Sequence, residues 1–318
     1  MTNNSLEILG MYGKEEIAIL YIGKYGDNVL EFVESVQPPV PRDEKWVLII
    51  STLFGCPMRC VMCDSGEYYH GIISKEGMIA QIDHMVTKRF PDRKIPIPKF
   101  KIQFARMGEP SINPEVIDLL QELPKLYEAP GLMPCISTVA PKRASEFFEK
   151  LISLKNSFYS NGNFQLQISL HSSDPKTRKK WIPQQIWSFK EISSYGDRWF
   201  EQGDRLITLN FAVAEDSIID PKTIRKYFDP SIYLIKLTPI NPTNNAIRNK
   251  MNSLITEENQ GDLAIAKEFR DEGFETVISI GEWEENRIGT NCGQLASHYE
   301  NGQVKFKSNY TCQDFQII

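Results

Sequence analysis

The sequence predicts an α/β protein built on a parallel sheet, closed as a barrel or partial barrel. Three observations carry this. From "WVLIISTLF" onward, short apolar runs alternate with longer stretches whose apolar residues recur every three to four positions. Repeated strand–helix units of that kind specify a parallel sheet covered by helices. Six or seven such units make a barrel the natural closure, and chemistry in such folds gathers at the C-terminal ends of the strands.

The elements follow in order. "EEIAILYIGKYGDNVLEFVESV" reads as a hairpin turning at "KYGDN", and "PPVPRDE" as a linker. After "WVLIISTLF", strands are predicted at "KFKIQFA", "LMPCISTVA", "NFQLQISL", "RLITLNFAV", "SIYLIKLTPI" and "ETVISI". Helices are predicted at "KEGMIAQIDHMVTKRF", "NPEVIDLLQELPKL", "RASEFFEKLISL" and "TEENQGDLAIAKEFRDEGF". The expected organisation is an N-terminal hairpin and linker over 1–45, a barrel over 46–282 and a C-terminal segment over 283–318.

Composition bounds the class. The 318 residues are 41% hydrophobic and 24% charged, an ordinary globular balance. No apolar run approaches the ~20 residues of a membrane span, and the N-terminus lacks the layout of a secretory signal, so a cytoplasmic location is expected. The net charge is −5, opposite to the usual balance of a protein that lives on nucleic-acid phosphates. The basic stretches "TKRFPDRKIPIPKFK" and "DPKTRKKW" read as solvated surface.

Six cysteines are too few for a disulfide framework in a chain this long, yet three of them crowd into "LFGCPMRCVMC". Cys56, Cys60 and Cys63 have the spacing C-x3-C-x2-C and directly follow a strand. Three thiolates on a cubane iron–sulfur cluster leave one iron without a protein ligand. S-adenosylmethionine (SAM) can chelate that open iron and be cleaved there to a radical, which is the chemistry of a radical SAM enzyme. Zinc, with His70 as fourth ligand, is the competing reading; zinc sites usually pair C-x2-C knuckles. The next strands end on polar groups. "FARMGEP" supplies Gly108, which lets the backbone approach a ligand, and Glu109, a carboxylate for the SAM ammonium. "CISTVAP" supplies Ser137, "QISLHSSD" supplies Ser169 and His171 at period two, and "LTPINPT" supplies Asn241.

"GCPMRCVMC", "MGEP", "ISTVAP", "ISLHSSDPKTRKKWIP", "LTPINP" and "NCGQLA" stand in an order and spacing that resembles the RlmN/Cfr family of radical SAM methyltransferases, which act on adenine carbons in RNA. The resemblance spans roughly residues 30–297. It implies a partial (β/α)6 TIM-like barrel of the radical SAM type, with a short N-terminal hairpin and a C-terminal extension. It implies a [4Fe-4S] cluster on Cys56, Cys60 and Cys63. It also implies SAM contacts from Gly108, Glu109, Ser137, the stretch Ser169–Leu170–His171, and Asn241. Cys292 maps onto the cysteine that becomes S-methylated, and Glu34 in "FVESV" onto the glutamate base. A thiolate accepts a methyl group readily where a ring carbon does not, and a carboxylate can remove the final proton. An external donor such as flavodoxin or ferredoxin would supply electrons.

The chain departs from that family in two places. The family's second cysteine, which releases the product, falls on Ile49; Cys135 and Cys312 are the available substitutes. About thirty residues precede Glu34, where family members carry an RNA-gripping helical domain. With the acidic balance, this leads to the expectation of a small-molecule or small nucleic-acid substrate rather than the ribosome. Two other outcomes stay open: a radical SAM reaction that does not methylate, and a non-catalytic iron–sulfur protein.

Overall fold

The computed structural model describes residues 5–36, 38–259, 263–291, 295–300, 303–304 and 312–317. The chain divides into two compact units. The first comprises Met1–Pro57, Asp64–Ile136 and Gly281–Ile318, and the second Met58–Cys63 and Ser137–Ile280.

The first unit opens with an antiparallel meander, β1 (Leu6–Lys14), β2 (Ala18–Tyr25) and β3 (Asn28–Ser35). The expected hairpin is β2–β3, and "LEILGMYGK" adds the strand that sequence reading did not assign. The expected strand "WVLIISTLF" divides into β4 (Lys45–Ile50) and β5 (Leu53–Gly55), which pairs with β6 (Tyr69–Ile72). β3 pairs antiparallel with β4, and β4 runs parallel to β7 (Lys99–Phe104), which runs parallel to β8 (Leu132–Thr138). Helices α1 (Lys75–Arg89) and α2 (Glu115–Leu126) pack together, and α1 also lies on β4. α1 starts where the Ser74 hydroxyl accepts the Gly77 amide at 3.1 Å, an N-cap that satisfies one of the orphan donors of the first turn.

Alternation decides what each face of the meander meets. Ala18, Leu20, Ile22 and Val33 form one cluster with Tyr12 and Leu295. On the other face Tyr21 stacks on Phe32 at 5.0 Å, and both meet His84 of α1. The outer edge, β1, is joined near the chain end by a bridge between Tyr12 and Gln316 and by the Ile317 amide on the Met11 carbonyl at 2.8 Å.

The second unit contains α3 (Ser145–Phe158), β9 (Gln165–Ser169), α4 (Pro175–Trp181), α5 (Phe189–Trp199), β10 (Ile207–Val213), α6 (Pro221–Arg225), β11 (Tyr233–Pro239), α7 (Asn244–Arg248), α8 (Ala264–Asp271) and β12 (Thr276–Ile278). Its strands are parallel and ordered β9-β10-β11-β12. α5 was outside the expected helices, although its capping box of Ser188 and Glu191 is a sequence-level start mark. One sheet face packs on helices: Phe211 meets Phe269 of α8 at 5.7 Å, and the Tyr233 hydroxyl donates to the Ile192 carbonyl of α5 at 3.1 Å. Helix α9 (Trp283–Ile288) returns the chain to the first unit. The class is α/β with a mostly parallel sheet, as the alternation predicts. No helix among the described residues is long and apolar enough to cross a membrane.

Candidate radical SAM site

In the first unit, the end of β7 is stitched to the strand that delivers the cysteines. The amides of Thr52 and Leu53 both donate to the Met107 carbonyl, at 2.9 and 3.2 Å. Gly108 follows, at φ +106°, where a Cβ would lie 2.5 Å from Leu53 Cγ. Its lack of a side chain thus serves the approach of β5. Gly55, at φ +80°, is more tightly bound: a Cβ there would sit 2.0 Å from the Tyr68 carbonyl oxygen. Cys56 then emerges buried, its amide held by that same carbonyl at 3.0 Å. Glu109 is buried at the start of a 3-10 turn, and its Oε1 accepts from the Ser111 amide at 3.2 Å and hydroxyl at 2.6 Å. Asn113 ties the arrangement down by donating to the carbonyls of Thr52 and Ile73, each at 2.8 Å.

In the second unit, the other two cysteines lie on a turn in which the Cys63 amide donates to the Cys60 carbonyl at 3.0 Å. Three side chains after β11 hold this turn by successive carbonyls. Asn249 donates to Val61 at 2.8 Å, Thr243 to Met62 at 2.6 Å and Asn245 to Cys63 at 3.0 Å. Asn241 belongs to the same loop, its carbonyl accepting the Thr243 amide at 2.8 Å. Val61 and Met62 pack on Trp181, Ala212, Ile240 and Ala246. Sequence reasoning reached Asn241 but missed Thr243, Asn245 and Asn249, which carry no motif and act by hydrogen bonds to backbone.

At the end of β9, the amides of Leu170 and His171 both donate to the Asn210 carbonyl, at 2.9 and 3.2 Å. His171 has φ +62° and is buried. Its Nδ1 accepts the Ala212 amide at 3.2 Å, which leaves the proton on Nε2. Burial, with Arg178 nearby, lowers its pKa to about 4. It is therefore a neutral hydrogen-bond donor at ordinary pH. Ser169 and Ser137 are half-buried.

Glu34 lies on the α1 face of β3, opposite the face of Val33 and Ser35 that meets Leu295. Its carboxylate accepts from Trp46 Nε1 at 2.9 Å, from the Tyr21 hydroxyl at 3.3 Å and from Arg89, with Arg42 at 3.4 Å. Both oxygens are thus engaged by groups around β3. Ile49, where the resemblance would want a second thiol, packs on the Leu295 cluster. Cys135 is a buried thiol donating to the Met133 carbonyl at 3.5 Å. Cys292 and the side chain of Cys312 lie outside the described residues.

The residues flanking Cys292 are described, and two buried charges govern them. Arg106 Nε is 2.7 Å from Glu31 Oε1, and the side chains are 1% and 0% exposed. The Arg106 guanidinium also donates to the carbonyls of Gly289 at 2.6 Å, Thr290 at 2.8 Å and Asn291 at 3.2 Å. Glu31 Oε2 accepts the Ala296 amide at 2.9 Å. Burial pushes the Glu31 carboxyl up, while Arg106 and the amides of Ala296 and Leu295 pull it back. Nearby Glu285 is buried, and burial raises its pKa; it accepts from the hydroxyls of Ser35 and Thr290, each at 3.4 Å. Neither carboxylate was singled out from the sequence, where each looks like one acid among many.

Among the described residues, no three His, Cys, Asp or Glu side chains are gathered as a ready metal site, and His70 is exposed beside Tyr68. Fit to an iron–sulfur cluster rests on the donor chemistry: three thiols within eight residues, from a loop whose entry and exit are fixed by the fold.

No family model matches the chain. Two curated relatives are each called a probable dual-specificity RNA methyltransferase RlmN. The one from Thermus thermophilus is 24% identical over 281 residues, covering 86% of this chain and 74% of the relative. The one from Heliobacterium modesticaldum is 24% identical over 233 residues, covering 70% of this chain and 57% of the relative. A radical SAM methyltransferase from Sphaerobacter thermophilus has the same fold, with a TM-score of 0.70 at 17% identity, covering 92% of this chain and 81% of that one. In sequence and in fold the chain is thus similar to RlmN/Cfr-like radical SAM methyltransferases. It is accordingly a methyltransferase-type enzyme with a partial TIM-like barrel, and its cofactors are a [4Fe-4S] cluster and SAM.

Proposed function

We propose that this enzyme methylates an unactivated sp2 carbon through S-methylated Cys292, on a small molecule or small RNA. The observation that carries the reading is the stitching of the cysteine-bearing strand to the strand end that buries Glu109. Cys56, Cys60 and Cys63 hold the cluster. Gly108, Glu109, Ser137, Ser169, Leu170, His171 and Asn241 hold SAM, with Glu109 taking its ammonium and His171 donating from Nε2. When bound, the cluster and SAM supply an electron, a methyl group and a hydrogen-abstracting radical.

Cys292 accepts the methyl because thiolate sulfur is a strong nucleophile. The proton released from the substrate carbon goes to a carboxylate, and the Cys292 S–C link to the substrate would then be broken by a second thiol, Cys135 or Cys312, attacking the Cys292 sulfur to form a disulfide. Glu34 is the assignment from resemblance, but its bonds to Arg89, Trp46 and Tyr21 engage it on the α1 face. Glu285 is the better placed acceptor, since it shares the face of Ser35 and burial makes it more basic. Electrons come from a flavodoxin- or ferredoxin-type donor.

The small-substrate reading is supported by the fate of the basic residues. Arg89 pairs with Glu34 and Glu15, Arg93 with Asp83, Lys94 with Glu128 and Lys88 with Glu15. Arg178 is buried and donates to the Trp187 carbonyl. That the relatives are called RNA methyltransferases favours RNA as the second reading. The test is anaerobic incubation with methyl-deuterated SAM, followed by intact-protein mass. A labelled methyl adduct that disappears in Cys292→Ala is expected; SAM cleavage with no adduct would overturn the methyl-transfer route. Transfer of label to total cellular RNA would select RNA over a small molecule.

A further inference from the structure

The loop that carries the cysteines has backbone amides to spare. Met58 lies in a turn, and Arg59 follows it at φ +53°, in the left-handed region. A left-handed residue after a turn gathers successive amides into a concavity that holds anions, iron–sulfur clusters among them. The Met58 amide donates to no group among the described residues, although Met58 is only 2% exposed. Buried backbone N–H groups are almost always paired, so this one calls for a partner.

The Met62 amide likewise donates to no group among the described residues. Its direction is set from outside the loop. In a trans peptide the C=O and the N–H point opposite ways. Asn249 Nδ2 holds the Val61 carbonyl at 2.8 Å, so the Met62 N–H of that same peptide is turned away from Asn249. The neighbouring amides are spent: Val61 donates to the Trp181 carbonyl at 2.9 Å and Cys63 to the Cys60 carbonyl at 3.0 Å. Met58 and Met62 stand two residues either side of Cys60. The thiolates and sulfides of a cluster are acceptors only, which complements such donors. Hydrogen bonds to those sulfurs favour the reduced, more negative cluster.

We propose that the amides of Met58 and Met62 donate to sulfur atoms of the [4Fe-4S] cluster and raise its reduction potential, with Asn249 as the positioning residue that aims the Met62 amide. The assignment rests on the reading that Cys56, Cys60 and Cys63 hold the cluster. Asn249 thereby governs electron entry through a backbone carbonyl.

The test is pulsed EPR of the reduced, cluster-loaded full chain, without SAM, made with methionine carrying the heavy nitrogen isotope. Met58→Leu and Met62→Leu each exchange a labelled amide nitrogen for an unlabelled one and keep an apolar side chain. Each is expected to delete one labelled-nitrogen coupling seen in the wild type and to leave the g values in place. Asn249→Leu is expected to weaken the coupling that Met62→Leu deletes. It should also lower the potential, so that the reduced-to-oxidised ratio at a fixed potential falls about threefold or more. Asn249→Gln, which keeps a donor, should restore both. Labelled couplings that survive both methionine changes, or an Asn249→Leu cluster with coupling and potential unchanged, overturn the proposal. Iron and sulfide content are read on the same samples. A chain that takes up no cluster fails the ligand reading and this one together, whereas a loaded cluster without the couplings fails this one alone.

Discussion

Replacing Arg106 by alanine removes one member of an ion pair whose side chains are 1% and 0% exposed. Breaking a buried pair from one side costs about 3–5 kcal/mol, because the remaining charge is left in a dry site. The same change strips donors from the carbonyls of Gly289, Thr290 and Asn291, each worth about 1 kcal/mol or more if left unmade. These terms overlap, so about 4 kcal/mol is the expected total. Since total stability is on the order of 5–15 kcal/mol, residues 289–291 and 295–296 should open locally before the chain unfolds. Hydrogen exchange is the assay. The Ala296 amide, held by Glu31 at 2.9 Å, should exchange roughly a thousandfold faster, from about 1.4 kcal/mol per tenfold. The double variant Glu31→Gln/Arg106→Met leaves no isolated charge and should recover about 2 kcal/mol relative to the single change. A loss under about 1 kcal/mol in Arg106→Ala, or a double variant as damaged as the sum of the singles, would refute the reasoning.

Gly55→Ala should strain the backbone by about 1–3 kcal/mol before any clash; with a Cβ set 2.0 Å from the Tyr68 carbonyl, loss of bound iron is expected by metal analysis. Asn245→Leu leaves the Cys63 carbonyl without its donor, a cost of about 1–3 kcal/mol, and should lower cluster occupancy while the apo protein keeps its circular dichroism. His171 has its pKa lowered from 6.5 to about 4. Between those values the unfolded chain takes up a proton that the folded one refuses, so stability falls as pH drops through that window, by about 3 kcal/mol in all. Urea titrations at several pH values should show that slope in the wild type and lose it in His171→Asn.

The strand–helix alternation and the thiol trio were legible because each is written in local spacing. "KFKIQFA" and "RLITLNFAV" became β7 and β10 within a residue or two, since burial on both faces leaves few other uses for such runs. The break between β4 and β5 was not legible, because it depends on Thr52 and Leu53 turning to meet Met107. Glu31 and Arg106 were invisible for a related reason: they stand far apart in the chain, and only the register β3–β4–β7 brings them together. The sequence does say that Glu31 and Glu34, three apart on one strand, face opposite ways. It does not say which face the C-terminal segment takes, and that choice is what separates Glu34 from Glu285.

The bridge between Tyr12 and Gln316 lies on the side of β1 away from β2. A terminal strand with bare amides and carbonyls is a template for another molecule's chain. Here residues from far along the polypeptide occupy part of that template, so the protein shields its own border against adhesion to neighbours. Variants in which Gln316 and Ile317 are deleted should clump more readily on concentration than the chain that keeps them.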